Sequence, residues 1–196
     1  MIKRSRTAAL LLVGTAAFAL SGCRDETVEA QAFPDLQSCL NAAGDGSSLF
    51  SEQDCRDGFT QAQERQAETA PRYDSLQVCE EQYGEGNCGS EVQASGSGSG
   101  SIFMPLIAGY LLGNMLSNAR GVGAQPMYRT ADGRYTTPQG NATYSNNTGK
   151  ASLNSATFAK APVTAGKPPM TAATAKARGG FGSSSTRTGG YGSYGG

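Results

Sequence analysis

The chain has 196 residues with 27 glycines, no tryptophan and 38% apolar content, poor material for one large globular core. It contains no histidine, so the commonest general base and the Ser/His and Cys/His nucleophile arrangements are missing and an enzyme is not expected. The formal net charge of zero hides a division: residues 24–91 carry 15 acids against four arginines, whereas residues 117–196 carry nine basic side chains and the single acid Asp132.

The remaining cations, Lys3, Arg4 and Arg6, open a secretory signal that continues through an apolar stretch from Ala8 to Leu20 and ends in LSGC at residues 20–23. Leucine, two small residues and cysteine form a lipobox, so residues 1–22 read as a lipoprotein signal peptide and Cys23 as the lipidated first residue of the mature chain. The competing reading is an ordinary or uncleaved signal that happens to contain a cysteine. The acyl chains, palmitate among them, would hold the protein on a membrane at roughly 0.8 kcal/mol per buried methylene. Apart from this covalent lipid no cofactor and no metal is expected. Arginine rather than aspartate at position 24 favours the outer membrane over the inner membrane.

Residues 23–32 read as an acidic spacer, and residues 33–89 as a small all-α module stapled by disulfides. Phe33 to Gly46 aligns with Tyr73 to Gly86 at an offset of 40, matching Leu36 with Leu76, Cys39 with Cys79, Gly44 with Gly84 and Gly46 with Gly86. Each copy gives an aromatic, a cap residue (Asp35; Asp74 or Ser75), a short helix and a glycine stop. The alternative is coincidence between two short capped helices. Between them Ser51 and Asp54 form a capping-box variant, and a helix is predicted from Glu52 to Thr69, ended by Pro71. Its apolar stripe, Cys55, Phe59 and Ala62, is too thin for it to stand alone.

Four cysteines remain for cross-links in an oxidising envelope. Cys39 lies about one turn before the end of the first helix and Cys55 about one turn into the second, level in an antiparallel hairpin, so Cys39–Cys55 and Cys79–Cys88 are favoured among the three pairings. A zinc site is the rival reading, weakened by the lack of CxxC spacing and of histidine.

A flexible Gly/Ser linker is predicted over 90–101. One short apolar helix is predicted over 102–119, with Pro105, Gly109 and Gly113 on a stripe of small residues and Ile102, Phe103, Leu106, Ile107 and Tyr110 as the bulky contacts. Fifteen apolar residues reach roughly 22 Å, short of a ~30 Å hydrocarbon core. Three roles stay open: a helix in the membrane face, self-association through Gly109 and Gly113, or docking on the cysteine module. From residue 120 to 196 the chain reads as a disordered, basic, Gly/Ser/Ala-rich tail.

The segments ETAPRY (68–73), EEQYGEGNC (80–88), MPLIAGYLLG (104–113) and ARGGFG (177–182) resemble those of the YgiB-like family of bacterial envelope proteins of unknown function. The resemblance covers most of the mature chain and implies membership, with no activity that can be carried to named residues. Two functions follow from the residues. The first is a non-enzymatic envelope adaptor or assembly factor, its protein partner or second copy held by 102–118. The second is contact between the basic tail and polyanions such as lipopolysaccharide or acidic wall polymers; nucleic acid is not expected. Redox regulation through Cys79 and Cys88 is a third.

Overall fold

The computed structural model describes residues 27–92, 102–114, 122–140 and 142–178. The signal segment, Cys23, most of the 90–101 linker and residues 179–196 lie outside these.

The expected all-α module with a disordered tail is not what forms. Six strands make one antiparallel sheet: β1 (Thr27–Phe33), β4 (Gly109–Asn114), β5 (Val122–Arg129), β6 (Tyr135–Thr136), β7 (Thr143–Tyr144) and β8 (Gly149–Asn154), in the order β7-β6-β5-β4-β1-β8. Two short strands, β2 (Cys88–Ser90) and β3 (Phe103–Pro105), pair separately. The helices are α1 (Leu36–Gly44), α2 (Glu52–Thr69), α3 (Leu76–Tyr83) and α4 (Ala172–Ala177), with a 3-10 turn at Ser155–Phe158.

Four expectations are corrected by this topology. Residues 27–32 are not a spacer, because β1 runs between β4 and β8 in the interior of the sheet, with Ala30 opposite both Gly113 and Ala151. The predicted apolar helix over 102–119 is instead β3 and β4. A strand buried on both faces shows a continuous apolar run, which periodicity cannot tell from a buried helix, and every residue of β4 from Gly109 to Gly113 is buried. Within 120–196, residues 122–178 supply four strands, a 3-10 turn and α4. Their small Thr, Ala and Gly side chains build no core of their own; they complete one begun by β1 and β4. The 90–101 segment does not divide the chain into separate domains either, since β2 and β3 on its flanks pair with each other.

The helix boundaries follow from local chemistry. Asp35, Ser51 and Ser75 each accept a backbone N–H three residues on, and Ser51 and Asp54 complete a reciprocal capping box. α2 stops at Thr69, one residue before the extended Ala70 that precedes Pro71.

One face of the sheet is covered by α1 and α2 over Phe33, Cys39, Phe50, Cys55, Tyr110, Leu112 and Ala124. Gly58 lets α2 lie close, because a Cβ there would overlap the Leu112 side chain. The other face packs Val28, Ala30, Ala32, Leu111, Met127 and Phe158. A third cluster joins α3 to the end of the chain through Tyr73, Val78, Tyr83, Met104, Tyr128 and Ala175. The structure pairs Cys39 with Cys55 and Cys79 with Cys88, Cα atoms 5.8 and 6.2 Å apart, the pairing the spacing favoured.

Candidate functional site

Of the residues expected to meet a partner, Gly109, Tyr110 and Gly113 are buried in the fold, whereas Ile102, Phe103, Leu106 and Ile107 are half-buried. Tyr110 is fully buried, its ring 5.9 Å from that of Phe33 and 5.6 Å from that of Phe59. Gly109 takes φ +147°, and a Cβ there would come within 2.8 Å of the Phe33 carbonyl. The Phe158 ring occupies the space over Gly113. Phe103 and Ile107 pack on the α3 cluster, the Ile102 carbonyl accepts the Glu91 N–H at 2.7 Å, and the Leu106 N–H donates to Asn87 at 2.8 Å. The small-residue stripe is real, but it admits this chain's own side chains, so residues 102–114 offer no helix to a partner.

A different site emerges where the α2–α3 connection meets the last described residues. Tyr73 exchanges backbone hydrogen bonds with Phe103 (2.8 and 3.0 Å), while Met170 donates to the Arg72 carbonyl at 2.7 Å and accepts from Asp74 at 3.1 Å. Segments far apart in sequence are thereby sewn around two adjoining cavities. The first, of about 440 Å³, is lined by Tyr73, Tyr83, Gln82 and Ala175 among others. The second, of about 310 Å³, is lined by Thr69, Arg72, Pro162, Val163, Thr164 and Lys167 among others. Pro71, Pro138, Gln139, Met170 and Arg178 border both, so the two form one groove.

Its chemistry is distinctive. Rigid proline and tyrosine surfaces form the walls, and among the described residues no Asp or Glu lines either cavity, although acids outnumber bases in residues 27–92. Arg72, which lines the inner part, is committed to structure. Its side chain is 4% exposed, pairs with Glu91 at 2.8 Å, and donates to Thr164 Oγ1 at 2.5 Å and to the carbonyls of Ala70 and Ala67 at 3.2 and 2.6 Å. Gln139 is also held, by donation to the Ala159 carbonyl and acceptance from Thr137. Lys167 and Arg178 are exposed and make no ion pair among the described residues.

The Tyr73 and Tyr83 rings meet edge to face at 6.1 Å, and Tyr83 meets Tyr128 at 5.9 Å. Burial pushes the Tyr73 phenol up to about 12, against a hydrogen bond from Tyr83 and the nearby positive charge of Arg178. Burial likewise raises Tyr83 and Tyr128 well above the usual phenol range. All three hydroxyls stay neutral at physiological pH; Tyr73 and Tyr83 hydrogen-bond to each other in the groove wall, while the Tyr128 hydroxyl is buried behind them without a partner among the described residues.

Glu80 accepts the Gly86 N–H at 2.9 Å and so closes the turn after α3. Among the described residues no group of three His, Cys, Asp or Glu side chains is placed to hold a metal. No described helix is long and apolar enough to cross a membrane. Sequence reasoning missed Tyr73, Lys167 and Arg178 as a group. The available signal was the basic excess of the C-terminal half, which pointed to the right charge without a place for it.

The family described as "Protein of unknown function (DUF1190)" matches residues 27–192. A UPF0441 protein of Erwinia tasmaniensis is 35% identical over 127 residues, 60% of this chain and 54% of its own length. UPF0441 proteins from two Klebsiella pneumoniae strains are 33% identical over 190 residues, covering 88% of this chain and 78% of theirs. No solved structure matches. The match spans every described element from β1 to α4, and the chain therefore belongs to this family, the YgiB-like UPF0441 group.

Proposed function

We propose that the protein is a non-enzymatic, lipid-anchored envelope protein that binds an anionic polymer, such as the phosphorylated saccharide of lipopolysaccharide or an acidic wall polymer, in the groove between the α2–α3 connection and residues 138–178. The observation that carries this reading is a groove walled by tyrosine and proline, without carboxylates, and rimmed by Lys167 and Arg178, which make no ion pair among the described residues. Cations at the rim of a low-dielectric cleft focus an attractive field on anions. Lipid anchoring rests on the LSGC sequence. Cys23 stands four residues before β1, so its tether would span at most roughly 14 Å and keep the fold beside the bilayer.

The direct test is binding of the full-length protein to lipopolysaccharide in a salt titration. Lys167→Glu combined with Arg178→Glu is expected to weaken binding at least tenfold and flatten its salt dependence. Binding that ignores both substitutions and salt removes the groove from consideration. Anchoring is checked separately by the mass of the N-terminal peptide, which should carry diacylglycerol and begin at Cys23.

A further inference from the structure

β7 and β8 are consecutive in sequence, joined by residues 145–148, yet they stand at opposite ends of the six-stranded order. The sheet therefore curls until its two ends approach each other. The gap between them holds a cavity of about 310 Å³. Thr143 and Tyr144 line it from one side, Lys150, Ala151 and Leu153 from the other, and Ala30, Ala32 and Leu111 form its floor. Among the described residues β7 pairs with β6 alone and β8 with β1 alone. One edge of β8 consequently has no strand partner among the described residues, and Gly149, Lys150, Ala151 and Ser152 along it are exposed.

Sheets blunt such edges with short strands or charge. β7 is blunted, being two residues long. β8 is six residues long and carries a single charge, Lys150, which makes no ion pair among the described residues.

We propose that the free edge of β8 is a strand-addition site for an extended peptide, which enters the gap beside β7 and drops alternate side chains into the alanine-floored cavity. Main-chain hydrogen bonds to β8 supply affinity, and the cavity supplies selectivity. The ladder register fixes the chemistry of the guest. Ala151 lies opposite Ala30 and shares the cavity side, so guest residues on that side are apolar and of about valine size, the floor having given up its own side-chain volume. Lys150 lies opposite Gln31 and next to Ala151 along the strand, so a guest acid beside it meets an ammonium that makes no ion pair among the described residues. The guest is thus an extended segment alternating aliphatic and polar residues, with a carboxylate among the polar ones. This site shares no residue with the anion groove, and either can fail alone.

The experiment uses a fluorescein-labelled seven-residue peptide alternating valine and threonine, with one threonine replaced by aspartate, titrated with the purified full-length protein and followed by anisotropy. Saturable binding is expected. N-methylation of one alternate set of peptide amides should abolish it, while methylation of the other set leaves it within about twofold. Ala151→Trp, at an exposed position that can be filled without disturbing the fold, should weaken binding at least tenfold. Lys150→Glu should weaken it and be rescued by a peptide bearing lysine in place of the aspartate. No binding, or equal binding of both methylated sets, overturns the proposal. So does concentration-dependent dimerisation that Ala151→Trp abolishes, which would give the edge to a second copy of the chain.

Discussion

The two copies of the internal repeat share their local structure and differ in everything they touch. Asp35 and Ser75 cap helices that begin at Leu36 and Leu76, and the turns after them carry Gly46 and Gly86 at φ of +76° and +74°, although α3 stops one residue sooner, at Gly84 with φ +86°, where the matching Gly44 is still helical. Then they diverge. Phe33 ends a strand in the middle of the sheet and packs under α1 and α2, while Tyr73 sits in a two-way bridge with Phe103 and Met170 at the groove. The residue before each aromatic is Ala32 in one copy, filling the underside of the sheet, and Arg72 in the other, holding a buried ion pair. Cys39 bonds to α2 and Cys79 to β2, across separations of 16 and 9 residues. In the chain-entropy description those lengths differ by only about 0.5 kcal/mol. The difference between the copies therefore lies in tertiary partners: the first copy braces the sheet, and the second builds the binding surface.

The largest expected break in this comparison is Arg72→Met, which removes the buried Arg72–Glu91 ion pair and should lower stability by about 3–5 kcal/mol in denaturant unfolding. A smaller loss would mean that the pair is more solvated than its exposure implies. Next come the disulfides. Replacing Cys39 and Cys55 together, or Cys79 and Cys88 together, should each cost about 3 kcal/mol, but only the second pair should also weaken lipopolysaccharide binding. Equal effects on binding would erase the division of labour.

Gly113→Val should cost about 1–3 kcal/mol because the Phe158 ring must move. By contrast Gly46→Ala and Gly86→Ala should each cost about 1 kcal/mol and match one another, since neither meets a neighbour and both pay only for the left-handed backbone. Unequal values in thermal melts would show that the differing helix ends, Gly84 against Gly44, reach as far as these two glycines.

The last and smallest effect is a pH dependence confined to the alkaline range. Tyr73 titrates near 10 when unfolded and at about 12 when folded, so its contribution is complete below pH 10 and falls as pH rises from there through 12. Absorbance of the ionised phenol should appear later than in a tyrosine peptide, and Tyr73→Phe should flatten the alkaline loss of stability. The first copy, with Phe33 at the matching place, contributes no such titration.

The sequence showed its local features well. Caps, glycine stops, the Pro71 boundary and the cysteine pairing all depend on neighbours within a few turns, and the positions of Asp35, Ser51, Cys39 and Cys55 carry them directly. The sheet was hidden for two physical reasons. GYLLGN at 109–114 is buried on both faces, so it lacks the alternation that marks a half-exposed strand, and Gly109 and Gly113 fall by chance at helical spacing. The small-residue segments after 120 look unable to fold because their apolar partners, Leu111, Ala30 and Val28, belong to earlier parts of the chain. The groove was still less visible. Tyr73, Gln139, Met170 and Arg178 converge only after those strands pair, and no local pattern announces such an assembly.

The place of β1 has a consequence for how the polypeptide matures. As an inner strand it needs neighbours on both flanks, and its partners Gly113 and Leu153 lie more than eighty and more than a hundred and twenty residues downstream. Contacts of such high sequence separation slow folding, because the intervening loops must close before any pairing rewards them. The segment nearest the amino terminus thus waits, unpaired, until almost the whole chain has emerged, and a fragment ending at residue 92 would leave the apolar undersides of α1 and α2 with nothing to cover.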